Sequence, residues 1–231
     1  LHYTEVDMTL DGGLGDVNIN KNIQLFPFAC EKVTAILHQN NSDFWIVSRL
    51  ENSNTYHSFL LSSAGINIVP IVTNIGAVLN GTGGYLRGSP DGSRIAAVFC
   101  WNNEPIELYD FNNSTGVLSN LVSINTSEYE YGVEFSPNGN LLYTTAEVSG
   151  KISQYNLLAG SSLDILNSET VLGATLVQGH ALQLAPDGKI YIASWGASSL
   201  SVINNPDILG VGCNFTQFGI DLTLGGAHFA S

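Results

Sequence analysis

The stretch "SPDGSRIAAVFC" at Ser89–Cys100 is written twice more in the same chain, as "SPNGNLLYTTAE" from Ser136 to Glu147 and as "APDGKIYIASWG" from Ala185 to Gly196. In each, Pro presets one turn torsion and Asp or Asn followed by Gly supplies positive φ, the chemistry that joins two antiparallel strands tightly. The starts lie 47 and then 49 residues apart, close to the roughly 40–50 residues of one propeller blade. A step of 49 upstream from Ser89 reaches Asn40 and aligns "ILHQNNSDFWIVSRL" as a fourth copy.

Each copy reads as strand, turn, strand. A third strand follows in "TYHSFLLS", "PIELYDF", "KISQYNL" and "SLSVINN", and a weaker, β-branched fourth in "NIVPIVTNI", "GVLSNLVSI" and "ETVLGATLV". Four antiparallel strands per repeat cannot bury both faces alone, and radial packing around an axis solves this. The expectation is an all-β, single-domain β-propeller, with blades near 34–80, 83–126, 131–176 and 179–222. Residues 2–26 match a third and fourth strand and form the outer half of another blade. The chain thus holds about four and a half blades of a six- or seven-bladed ring. A double-sheet sandwich is the alternative, though it requires no such regular period.

Composition agrees. Only 12% of residues are charged, against 44% hydrophobic, and there are 24 Gly, which suits short strands and tight turns. Seven Lys and Arg against 20 Asp and Glu give a formal charge of −13, so the phosphate-neutralising surface of a nucleic-acid partner is missing. No run approaches the roughly 18 apolar residues of a membrane-spanning helix, and membrane insertion is not expected. Cys30, Cys100 and Cys213 form no CxxC pair. Cys100 is expected as a buried thiol ending a second strand. Cys30 and Cys213 are placed in connecting loops, where a bridge between them is open if their blades come close enough.

The ordered set "YTEVDMTLDGGLGDV", "EKVTAI", "YLRGSPDGSRIA", "ELYDFNNSTGVLSN", "YGVEFSPNGNLLY", "ALQLAPDGKIYIA" and "LSVINNPDILGVGCNF" resembles the propeller-like repeat region of secreted bacterial surface proteins that end in a type IX secretion, gliding-motility-associated sorting domain. The resemblance implies export to the cell surface or medium and further blades upstream of Leu1. It implies no activity. Where that family continues with a "GLPNF"-like segment, this chain reads "GGAHFAS".

Catalytic chemistry is hard to find. No G-x-S-x-G elbow appears, and Ser89 and Ser136 read as turn caps. "DGGLGD" and "NGTGGY" do not run from a strand into a helix as phosphate cradles do. Asp7, Glu104, Glu107, Asp110 and Asp187 lack calcium-loop spacing and read as solvated turn caps. His2, His38, His57, His180 and His228 are scattered. No catalytic residue, metal or cofactor is therefore expected. Trp45, Trp101 and Trp195 read as inter-blade packing, with sugar stacking the sharper alternative. Three residues before the Pro of each turn stand Arg87, Glu134 and Gln183, and the same offset in the first copy gives His38. These four form the candidate ligand-binding layer on the innermost strands. Its plainer reading is an Arg87–Glu134 ion pair stapling two blades.

The function expected is a non-catalytic extracellular module for binding or surface assembly. Its partners would be protein or polysaccharide at the cell surface, other copies of itself, or an upstream segment that covers the open edge of the half blade. The alternative is a propeller hydrolase or lactonase acting at the channel mouth.

Overall fold

The computed structural model describes residues 1–79, 83–101, 103–175 and 180–223. The first half of the "NGTGGY" loop, the expected blade limits at 80, 176 and 179, the side chain of His180, and His228 with the C-terminal "GGAHFAS" lie outside the described residues. The protein is a β-propeller of four antiparallel blades. An N-terminal hairpin comes first, in which β1 (His2–Tyr3) pairs β4 (Ile23–Gln24) and β2 (Val6–Asp7) pairs β3 (Asp16–Val17). Blade 1 holds β5 (Ala29–Leu37), β6 (Phe44–Leu50) and β7 (Thr55–Ser62), and a fourth strand split into β8 (Gly65–Ile66) and β9 (Ile71–Asn74). Pro70 lies at that break, where the chain could not donate to the ladder. Blade 2 is β10 (Leu86–Gly88), β11 (Arg94–Ala97), β12 (Ile106–Asn112) and β13 (Val117–Ile124). Blade 3 is β14 (Glu130–Phe135), β15 (Leu141–Ala146), β16 (Lys151–Asn156) and β17 (Thr170–Ala174). Blade 4 is β18 (His180–Leu184), β19 (Ile190–Ser194), β20 (Ser199–Ile203) and β21 (Phe215–Asp221). The first strand of each blade is innermost: β5 lies beside β10, β10 beside β14, and β14 beside β18.

The repeated turn is built by hydrogen bonds. In blade 2 the Ser89 N–H donates to Arg94 O and Gly92 N–H to Ser89 O, both at 2.9 Å. Asp91 Oδ1 accepts from Ser93 N–H, and Gly92 sits at φ 70°. Ser136–Leu141 and Ala185–Lys189 repeat this pattern, with Gly139 at φ 71° and Gly188 at φ 77°.

Blade 1 makes the same turn two residues earlier than a 49-residue step places it. His38 N–H donates to Asp43 O and Asn41 N–H to His38 O, so His38 occupies the Ser89 position. Asn41, at φ 58°, takes the left-handed position that Gly fills elsewhere, as Asn can. "HQNNSD" holds no Pro to mark that register.

Each inter-blade layer has an apolar core. Between blades 1 and 2 lie Ile36, Trp45, Val47, Tyr56, Ile95 and Tyr109. Val133, Phe135, Leu142 and Tyr155 pack against Val98, Ile106 and Ile124 of blade 2. Tyr143 and Ile152 of blade 3 pack against Leu182, Ile192 and Ile203 of blade 4. Each fully buried aliphatic or aromatic side chain contributes about 1.5–3 kcal/mol relative to exposure. The connection from β16 to β17 carries a short helix, α1 (Ser162–Asn167). Its N-terminus is closed by a reciprocal capping box between Ser161 and Asp164, and its Ile165 joins the layer facing blade 2.

All three cysteines are buried, and none of them is in a disulfide. Cys30 lies within β5, not in a loop, because the innermost strand of blade 1 starts at Ala29. Cys213 ends a 3-10 turn over Gly210–Cys213. Cys100 lies three residues past the end of β11.

Candidate functional site: an axial ion pair beneath an aromatic rim

Three of the four layer residues meet. Arg87 on β10, Glu134 on β14 and Gln183 on β18 hold equivalent register positions, opposite Ala96, Tyr143 and Tyr191 of their respective second strands. Arg87 Nε lies 3.4 Å from Glu134 Oε2, an ion pair without a well-aligned hydrogen bond from that nitrogen. Its Nη2 donates to Leu182 O at 3.0 Å and to Gln183 Oε1 at 3.1 Å. One guanidinium therefore reaches from blade 2 to blade 4, the planar fork of donors making such shared contacts possible.

Glu134 is held just as fully. Its Oε2 accepts from Leu184 N–H at 3.0 Å and its Oε1 from Phe135 N–H at 3.1 Å. Burial raises its pKa, and this outweighs the opposing effects of Arg87 and the two amides.

His38 does not belong to this layer. As the Ser89 counterpart it sits in the turn. Its Nδ1 accepts from Asn40 N–H at 3.0 Å, and its Nε2 lies 3.3 Å from Ser114 O of blade 2. The structural counterpart of Arg87 in blade 1 is Ile36, opposite Trp45 and packed where a Cβ on Gly88 would come within 2.5 Å of it.

Above the Arg87 layer, toward the strand ends far from the repeated turns, a cavity of about 230 Å³ opens between Glu31, Lys32, Tyr85, Arg87 and Tyr131. Inner strands start at this end and second strands finish there, as the bonds from Val98 N–H to Tyr85 O and from Glu147 N–H to Tyr129 O establish. Two of the three tryptophans stand open on this rim, Trp101 at 57% and Trp195 at 58% exposure. The packing expectation fails for both, because each follows its strand instead of lying within it. Trp45, within β6, is 5% exposed; its Nε1 donates to Asn113 O at 2.9 Å.

The charges that sequence reasoning missed lie off the repeat. Arg49 and Glu107, each 1% exposed, face one another between blades 1 and 2 at 3.5 Å. Arg49 also donates to Ser53 O and Ala77 O and lies over the Phe99 ring at 4.6 Å. Glu107 accepts from Tyr109 Oη at 2.5 Å and Ala77 N–H at 3.1 Å, so it is no solvated turn cap. Lys32 is buried, donates to Gly83 O and lies over Phe99. Burial lowers its pKa to about 8. Only the i, i+2 placement of Glu107 and Tyr109 in "ELYDF" could have hinted at a shared face. Among the described residues no group of three or more His, Cys, Asp or Glu is arranged to hold a metal ion.

No family model and no curated protein matches the chain. Solved structures do. The chain is similar to a candidate 6-phosphogluconolactonase from Bacteroides uniformis at 14% identity, over 74% of this chain and 49% of that one, with a TM-score of 0.52. It is similar to a protein of unknown function from Bacteroides thetaiotaomicron at 12% identity over 83% and 51%, with a TM-score of 0.50. It is similar to U3-55K at 12% identity over 79% and 50%, with a TM-score of 0.52. The chain spans about half the length of each. At these identities the likeness concerns the propeller fold, which hosts unrelated functions.

Proposed function

We propose that the protein is a non-catalytic propeller module that binds a partner at the rim of its channel, displayed outside the cell as the sequence resemblance implies. One observation carries this reading: the polar groups at the axis are spent on each other. Arg87, Glu134 and Gln183 form a closed set across three blades, whereas a general base or nucleophile must keep its reacting atom open to substrate. The exposed Trp101 and Trp195 are aromatic groups of the type enriched at recognition surfaces.

The competing lactonase or hydrolase reading is tested directly. Purified protein, incubated with gluconolactone, 6-phosphogluconolactone and p-nitrophenyl esters, is expected to give hydrolysis indistinguishable from buffer at neutral pH. Turnover that Glu134→Gln abolishes while the variant stays folded would overturn the module reading.

A further inference from the structure

The cavity above Arg87 combines ring faces with hydrogen-bonding side chains. Tyr85 and Tyr131 meet edge to face with centroids 5.6 Å apart, and Arg87 lies over the Tyr85 ring at 5.1 Å. A third aromatic lies close to the lining: a Cβ added to Gly83, the neighbour of the lining residue Gly84, would lie 2.9 Å from Trp101 Nε1 and 3.6 Å from Oε1 of Glu31, which lines the cavity. Trp101 and the Glu31 carboxylate thus converge over this glycine. The same Cβ would meet the buried Cys100 Sγ at 2.5 Å, so only glycine fits there without displacing the thiol.

The charges do not select an ion. Lys32 is engaged with Gly83 O and the Phe99 face. Arg87 is neutralised by Glu134 at 3.4 Å. Glu31 adds one negative charge, so both signs line one small space and neither dominates.

Size narrows the choice. At about 230 Å³ the cavity lies below the roughly 300–1,000 Å³ of sites for drug-sized ligands, so it admits one ring or one chain end. A neutral polyhydroxylated ring matches every feature. Its C–H faces pack on Tyr85, Tyr131 and Trp101, and its hydroxyls meet groups that donate, accept or do both. Phenols do both, an indole N–H donates, and a carboxylate offers about four acceptor sites, so Glu31 accepts further bonds whatever else it holds.

We propose that this cavity binds the terminal residue of a neutral glycan, with Trp101 and Tyr131 as stacking faces and Glu31 as hydroxyl acceptor. The proposal rests on the reading of the rim as a recognition surface and adds its ligand class.

The test is isothermal titration, with tryptophan fluorescence, of the intact chain against neutral gluco-, manno-, galacto-, xylo- and N-acetylglucosamine trisaccharides. At least one is expected to bind. Trp101→Ala and Tyr131→Ala, the latter in the cavity wall, are each expected to weaken it about tenfold or more, the effect of losing an aromatic anchor. Leu158→Ala, exposed at the repeated-turn end of blade 3, is expected to leave it within about twofold, as for a side chain outside the contact. Unchanged near-ultraviolet circular dichroism and melting temperature show each variant folded. If no trisaccharide binds, or Trp101→Ala and Tyr131→Ala leave binding unchanged, the glycan assignment is overturned. If a lysine- or arginine-rich peptide binds in a Trp101-dependent way instead, the ligand class is wrong and the binding module stands. Turnover of a lactone or ester that depends on the axial residues overturns the module reading itself.

Discussion

Glu107→Ala is expected to destabilise the protein by about 3–5 kcal/mol, the cost of leaving a buried charge without its partner. Arg49, 1% exposed, would retain its bonds to Ser53 O and Ala77 O and its contact with the Phe99 face but lose the only carboxylate paired with it among the described residues. Tyr109, whose hydroxyl donates to Glu107 at 2.5 Å, would lose its acceptor as well. Glu107→Gln keeps an acceptor for Tyr109 and is expected to cost less, about 1–3 kcal/mol, as one hydrogen-bonded group is exchanged for another. Urea unfolding measures both. A loss below about 1 kcal/mol for Glu107→Ala, the range of exposed pairs, would mean that water reaches this layer.

The second large effect is a dependence of stability on pH. Glu130 is 1% exposed in β14, beside the Thr144 hydroxyl, yet neither carboxylate oxygen has a hydrogen-bond partner among the described residues. Burial raises its pKa from 4.5 to about 7, only partly opposed by Thr144 and Lys151, with Glu128 and Glu169 pushing the same way as burial. Below pH 4.5 the group is neutral in both the folded and unfolded chain. Between pH 4.5 and 7 the folded state holds a proton that the unfolded state has released, so stability falls as pH rises and levels off above 7. The shift corresponds to about 3 kcal/mol. Glu130→Gln removes the titration, and its stability relative to the parent is expected to improve by about that amount from pH 4.5 to 8. Taking the difference between the two proteins cancels the other titrating groups. A difference that stays flat across this window would show Glu130 to be hydrated or paired.

The repeat was legible because its turn is local chemistry. Asp91, Asn138 and Asp187 bond the backbone two residues on, and Gly92, Gly139 and Gly188 carry the positive φ; both requirements are written in adjacent letters. Blade 1 satisfied them with Asn40 and Asn41, without the Pro that marked the other copies, and the two-residue shift placed His38 in the layer where Ile36 belongs. A shift of two keeps a side chain on its face of the strand, so burial alternation did not expose it.

The meeting of Arg87 with Glu134 was readable from equal register in consecutive blades. The reach of Arg87 to Gln183, two blades away, was not, because it depends on the length of one side chain across the axis. Arg49, Glu107, Lys32 and Glu130 fall outside the repeat positions, and only the packing of neighbouring blades shows what they face. Trp101 and Trp195 looked like core from their place after apolar strands. Their exposure follows from lying past the strand ends, on the rim.

A double-mutant cycle on Arg87 and Glu134, read by urea unfolding of the parent, Arg87→Gln, Glu134→Gln and the double variant, tests most directly whether the axial set holds blades together. Residues in one ion-pair network couple by about 0.5–3 kcal/mol. A coupling of at least about 1 kcal/mol is predicted, with each single variant less stable than the parent. A coupling within about 0.3 kcal/mol of zero, with both single variants as stable as the parent, would contradict the account and return these two side chains to the list of groups open to a ligand.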